Sequence, residues 1–126
     1  MSATGSAWFV MGAIAAGVAV ILGAFGAHGL KSRVDPALLV VFETGVRYQM
    51  YHALALLAVG LARMHWPSAW ISTAGWFFLV GILIFSGSLY LMTATGARWL
   101  GAITPIGGVA FIIGWIALAA GVWRAI

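Results

Sequence analysis

Formal charge is almost absent from this chain. Six Lys or Arg and two Asp or Glu are all that 126 residues carry, and long apolar runs lie between them. A domain this small cannot hide such runs from water. With 64% of its residues hydrophobic and a mean hydropathy of +1.12, it would expose more apolar surface than water tolerates. Its natural solvent is a bilayer. Four apolar stretches, approximately 7–29, 46–63, 70–95 and 104–124, use up most of the chain. The expectation is an all-α fold: an integral membrane four-helix bundle, a single transmembrane domain over 1–126, with short loops and no soluble domain.

Composition also removes several function classes. The net charge is +4, but the basic residues are scattered singly, so the chain carries no nucleic-acid footprint. They read as topology signals and interfacial anchors. There is no cysteine, which excludes thiolate catalysis, disulfides and thiolate-bound metal. The N-terminus lacks a basic leader segment, and its apolar run is too long for a signal peptide. It reads as a retained first span.

Local signals place the helices. In the first span, Ala15, Ala19, Gly23 and Ala27 repeat every fourth residue, with Gly12 and Ala16 in a neighbouring row. Tiny side chains in a row let another helix approach closely. Lys31-Ser32-Arg33-Val34-Asp35-Pro36 is a polar connector. Asp35 before Pro36 reads as an N-cap with proline at the first helical position. The second helix then runs unbroken to Arg63-Met64-His65-Trp66-Pro67. At about 1.5 Å per residue it is longer than a hydrocarbon core about 30 Å thick. Its polar N-terminal part is expected to be extended or interfacial, with Gly45 as a point of bending. Gly96 reads as the C-terminal stop of the third span. Thr104 before Pro105 reads as the cap of the fourth, with Gly107 and Gly108 allowing close approach.

Counting basic residues gives a topology. Lys31, Arg33, Arg47 and Arg98 lie on one side, Arg63 and Arg124 on the other. The first side is then cytoplasmic and both termini are periplasmic. Trp8, Trp66, Trp70 and Trp123 are expected at one membrane interface and Trp99 at the other.

Chemistry-bearing residues gather in two islands, 23–30 and 42–52. Polar side chains persist in or near lipid only where they find partners or perform a task. On a helix, Glu43 and Arg47 share a face and are expected to pair. Tyr48 and His52, and Arg47 and Tyr51, have the same spacing, while Gln49 points elsewhere and needs its own partner. His28 and His52 raise the question of haem or metal. No recognised ligand spacing is present, so no metal and no cofactor is expected. Ser86 and Ser88 have no nucleophile motif, Asp35 and Glu43 are the only acids, and no enzyme activity is expected. The candidate polar cluster is His28, Glu43, Arg47, Tyr48, Gln49, Tyr51 and His52, joined by Tyr90 and Thr104 near the junction of the first two spans.

Four segments carry a family likeness: Gly23-Ala24-Phe25-Gly26-Ala27-His28, Thr44 to Ala55, Phe85-Ser86-Gly87-Ser88-Leu89-Tyr90, and Ile103 to Gly108. In this order they resemble the YgdD-like family of small four-span membrane proteins, which is catalogued as a domain of unknown function and has a small vertebrate relative. The resemblance covers nearly the whole chain. It implies an integral protein of the bacterial inner membrane, and it carries over no activity, substrate or catalytic residue.

Three functions remain in play. The leading one is a structural or interaction protein that sits in membrane lipid and self-associates as a homo-oligomer or joins a membrane-protein complex. The second is a channel or carrier for protons or a small solute. The third is a haem- or metal-binding membrane subunit.

Overall fold

A computed structural model describes residues 3–126 of the chain, and they are almost entirely helical. Helix α1 (Ala3–Phe25) ends in a π-helical turn, Gly26–Leu30. Helix α2 covers Pro36–His65. Helix α3 (Ala69–Gly81) passes through a second π turn, Ile82–Ser86, into α4 (Gly87–Thr95), so these three form one rod. A 3-10 turn, Arg98–Ala102, leads into α5 (Thr104–Ala125). Three segments are long and apolar enough to cross a membrane: Thr4–Leu30, Ala69–Thr95 and Arg98–Ala125. Helix α2 is long enough but more polar, because it carries the second island.

The helix ends obey local chemistry. The Asp35 carboxylate accepts from the Ala37 N–H at 3.0 Å, and Pro36 opens α2, as the sequence predicts. Gly96 closes α4 at φ +73°, a conformation only glycine adopts cheaply. Ser68 caps α3 through the Trp70 N–H. Thr104 corrects an expectation. It is not a cap, because Ile103 before it is already in helical conformation, and its hydroxyl turns back to the Leu100 carbonyl at 3.3 Å.

Two antiparallel seams hold the helices. Along the first, α1 meets α2 nearly backbone to backbone. A Cβ on Gly12 would lie 2.7 Å from the Ala53 oxygen, and one on Gly60 would lie 2.7 Å from the Gly5 oxygen. Gly26 lies instead under a side chain, the Phe42 ring. The buried small residues of α1 and its π turn are Gly5, Gly12, Ala19 and Gly26, spaced by seven. Of the sequence row, Ala19 is in the seam, and Ala15 and Gly23 lie beside it, against Gln49 and Val46, but Ala27 is exposed. The reason is geometric. A step of four residues overshoots one turn by about 40°, so such a row winds off the contact. A step of seven drifts by only about 20°.

The second seam joins the α3–α4 rod to α5. Phe78 sits over Gly114 and Ile71 over Gly121, while Phe85 meets Gly107. In the opposite direction the Phe111 ring occupies the space beside Gly81. Large residues at a seven-residue spacing enter gaps left by glycines at the same spacing, as knobs enter holes. Phe78, Leu56, Ile71 and Val59 are buried to within 2% of their surface and form the middle of the core.

The first half of α2 does not stand free of the bundle. Phe42 is buried against Gly26 and the Tyr90 ring, so the extended part is packed along its length. Gly45 lies inside the unbroken helix, and the space its side chain would fill is taken by Tyr90. Trp8 packs inside the bundle. It is buried at 4% exposure, with Gly75 under its ring and Trp76 edge-on at 5.1 Å. It is a core residue of the bundle. Trp123 and Trp99 are widely exposed at opposite ends.

Candidate functional site

The polar side chains of the bundle converge on one face of α2. Gln49, buried to 5% exposure, is satisfied from two sides. Its Nε2 donates to the Ala15 carbonyl of α1 at 2.9 Å, and its Oε1 accepts from the Tyr90 hydroxyl of α4 at 2.6 Å. One turn earlier, Ser86 of the second π turn donates to the Gly45 carbonyl at 2.6 Å. Near the start of α2, Thr93 reaches the Leu38 carbonyl at 3.3 Å. One turn after Gln49, His52 accepts from the indole N–H of Trp115 on α5 at 3.1 Å. All three other rods are thus tied to α2.

The geometry fixes the state of His52. Indole N–H only donates, so His52 Nε2 is the acceptor. The Tyr48 carbonyl only accepts, so Nδ1, 2.8 Å away, carries the hydrogen. The ring is the neutral Nδ1–H tautomer with both nitrogens engaged. It lies flat on Phe111, with centroids 3.5 Å apart and planes 7° apart. Tyr48 stacks on the same layer, and Phe78 and Trp115 close its sides. No lone pair is left to hold a metal.

The other expected members lie elsewhere. His28 is exposed in the first π turn and bonded to the Ala24 carbonyl of its own helix at 3.0 Å. Nothing joins it to His52, so the facing-histidine arrangement is not formed. Glu43 and Arg47 are both exposed, and the expected ion pair between them is absent. The one ion pair among the described residues is Arg98–Asp35 at 3.8 Å, between two connectors. Tyr51 is half exposed and packs edge-on against Tyr48 rather than Arg47. Thr104 pairs with Ser88 at 2.6 Å, away from the Gln49–His52 cluster. Among the described residues no three His, Asp or Glu come together as a metal site requires.

Two partners were not among the candidates: Ser86 and Trp115. Ser86 stands four residues before Tyr90, which puts both on one face. Trp115 lies in the middle of an apolar span, where an interfacial tryptophan does not belong and an indole N–H needs a partner. Both signals are legible after the fact. A third, Arg63, bonds the Ser68 carbonyl at 2.8 Å and pins the turn between α2 and α3.

Grooves flank α2 on both sides. One of about 410 Å³, between α1 and the α3–α4 rod, has Gln49 and Tyr90 in its wall. The other, of about 490 Å³ between α2 and α5, is lined by Tyr48, His52 and Trp115 among others.

The same stretch carries the likeness to known proteins. Residues 22–108 match the family described as a protein of unknown function, DUF423. The membrane protein YwdK of Bacillus subtilis is 53% identical over 110 residues, covering 86% of this chain and 89% of its own. The membrane protein SSP2132 of Staphylococcus saprophyticus is 46% identical over 117 residues, covering 93% and 97%. The membrane protein SAB0533 of Staphylococcus aureus is 50% identical over 111 residues, covering 88% and 90%. All three bear the family label UPF0382. No solved structure matches the chain. With an all-helical fold, three helices fit to cross a bilayer and relatives of this closeness along most of its length, the chain belongs to the DUF423 family of membrane proteins of unknown function.

Proposed function

We propose that this is a four-span structural or interaction protein of the bacterial inner membrane, as in the YgdD-like family its motifs resemble. Its α2 serves as the fourth span, and its partner is a second copy or another membrane protein. The observation that supports this reading is where the polar atoms go. Gln49, His52, Ser86, Tyr90 and Trp115 bond to one another or to backbone across helices. This makes the middle of α2 compatible with hydrocarbon, while Glu43 and Arg47 stay on the outer surface of its first half. Helix α1 presents Phe9, Val10, Ile14, Val18, Val20 and Ile21 outward, a face suited to lipid or to another helix. Both termini are periplasmic in this reading, by the count of basic residues in the connectors.

The carrier reading draws less support. It needs Glu43 and Arg47 on an interior path, and both face outward. The deciding experiment is a mass measurement of the purified protein in nanodiscs or mild detergent over a range of concentrations. A stable multimer, or co-purification of one membrane partner at fixed stoichiometry, is the expected result. A monomer at every concentration, without a partner, removes the interaction role.

A further inference from the structure

Two unlike charges stand on the outer face of α2, at a depth where charge is unfavourable. Glu43 and Arg47 are both exposed, and among the described residues neither has a hydrogen bond or an ion pair. Their depth is read from the neighbouring helix, because α1 belongs to the apolar segment Thr4–Leu30. A Cβ on Gly23 would meet Val46 at 3.4 Å, and the Gln49 amide bonds the Ala15 carbonyl. Arg47 lies between Val46 and Gln49, so it is level with a point near the middle of that segment. Glu43 is one turn nearer the segment's C-terminal end. With a hydrocarbon core about 30 Å thick centred on the segment, both charges lie inside it. Ionisable groups at such depths pair with one another or face protein or water. An ion pair within one copy would still leave most guanidinium hydrogens and carboxylate lone pairs turned to lipid.

The rest of the face says what covers them. Val40, Arg47, Leu54 and Leu61 are all exposed and are spaced by seven, the step that keeps the two internal seams in register. Helix α2 thus has a third seam, which no helix of its own chain covers. The acid and the base on it stand one turn apart, so the patch is its own complement. The geometry points to a second copy of this chain on that face, in the same orientation, with Glu43 of each copy paired to Arg47 of the other. This names the partner within the structural role proposed above and rests on that role. A two-fold axis along the membrane normal brings equal depths together. Each glutamate then lies one turn, about 6 Å, from the facing arginine in depth, which the long arginine side chain spans. Copies in opposite orientation would put each Glu43 across the bilayer middle from the other's Arg47.

The test uses the whole protein in vesicles of phosphatidylcholine and phosphatidylglycerol, as donor-labelled and acceptor-labelled pools. Energy transfer is read as the protein-to-lipid ratio is varied, and the unaltered chain is expected to dimerise. Glu43→Arg and Arg47→Glu each set like charges together. Each should weaken self-association by at least about ten-fold, with the helix content of the chain unchanged. Mixing the Glu43→Arg pool with the Arg47→Glu pool should restore energy transfer, because acid then meets base only between the two kinds of copy. A pair within one copy cannot be repaired by mixing. Glu43→Gln and Arg47→Gln serve if a reversed charge prevents insertion, and both should weaken self-association. Association of the altered chains at full strength overturns this interface and leaves self-association through another face. Failure to recover on mixing overturns it as well. An unaltered chain that is monomeric at every ratio also overturns it, and leaves the structural role only a different membrane protein as partner.

Discussion

Tyr90 donates its phenolic hydrogen to the side-chain carbonyl of Gln49 at 2.6 Å, across 41 positions of sequence. The same amide holds the Ala15 carbonyl with its nitrogen end. One residue therefore couples α1, α2 and α4, and removing it should be felt in all three. Gln49→Ala breaks two interhelical bonds and leaves the Tyr90 hydroxyl unpaired. Such bonds are worth roughly 0.6–2 kcal/mol each in membrane proteins, so a loss of about 1–3 kcal/mol is expected in a detergent unfolding titration. Tyr90→Phe should cost about 1 kcal/mol. The double variant should cost less than the sum, which reports the coupling directly.

His52 and Trp115 form the corresponding link to α5. His52→Ala opens a space under Phe111 and orphans the indole N–H, for an expected loss of about 2–4 kcal/mol. His52→Phe keeps the stack and loses only the bonds, so it should cost less. Nitrogen NMR of the ring should show a protonated Nδ1 and an unprotonated Nε2. The reverse pattern would contradict the Trp115 bond.

The glycines separate into those that space helices and those that do not. Gly12→Ala places a methyl group 2.7 Å from the Ala53 oxygen. Neither backbone can yield cheaply, and a loss of about 1–3 kcal/mol is expected. Gly17→Ala meets nothing within 4 Å, and the better helix former should leave stability unchanged or raise it by up to about 1 kcal/mol. Likewise Gly107→Ala should damage the fold more than Gly108→Ala. Thermal unfolding of the four variants in one detergent checks the order.

Glu43 and Arg47 should be nearly silent in stability. Both are exposed and they are not paired, so Glu43→Gln and Arg47→Gln are expected to change unfolding by less than about 0.5 kcal/mol. A larger, mutually dependent effect in the double variant would show that the pair forms after all.

The absence of cysteine makes the proposed topology easy to test. Single substitutions Ser32→Cys, Arg98→Cys and Arg124→Cys give one thiol each. With a membrane-impermeant maleimide applied to intact spheroplasts, Arg124→Cys should label. Ser32→Cys and Arg98→Cys should label only after permeabilisation. The opposite pattern inverts the orientation, and a mixed pattern for Ser32 and Arg98 contradicts an even number of spans between them.

Much of this architecture is legible in the chain. Asp35-Pro36 announces the start of α2, and Gly96 ends α4, because their signals are local and chemical. The polar island of α2 points to Gln49 and His52, since amide and imidazole groups in apolar surroundings need partners. Their partners are harder to see. Trp115 and Ser86 lie on other helices, and only the packing decides which turn meets which. The small-residue seam is only partly legible in sequence because alanine and glycine are plentiful in α1. Rows at four and at seven residues both exist and share Ala19; the first drifts off the contact by Ala27, and the second stays in register with its neighbour. The Glu43–Arg47 pair has the right spacing, but spacing is a local condition. The π turns at Gly26–Leu30 and Ile82–Ser86 have no composition signal at all. The second of them delivers Ser86 to Gly45, which is a tertiary event.

The convergence of bonds on α2 also sets a problem of timing. Ribosomes deliver the chain from its N-terminus, so α2 is complete before any of α3, α4 or α5 exists. At that moment the Gln49 nitrogen already has Ala15 behind it. Its oxygen waits for Tyr90, 41 residues later, and His52 waits for Trp115, 63 residues later. The newborn hairpin of α1 and α2 must hold itself by the close contacts at Gly12, Gly60 and Gly26 and the single Gln49–Ala15 bond, with its most polar residues only half answered. The last helix to emerge closes the last bond, so a chain truncated before Trp115 should be the form that quality-control proteases find.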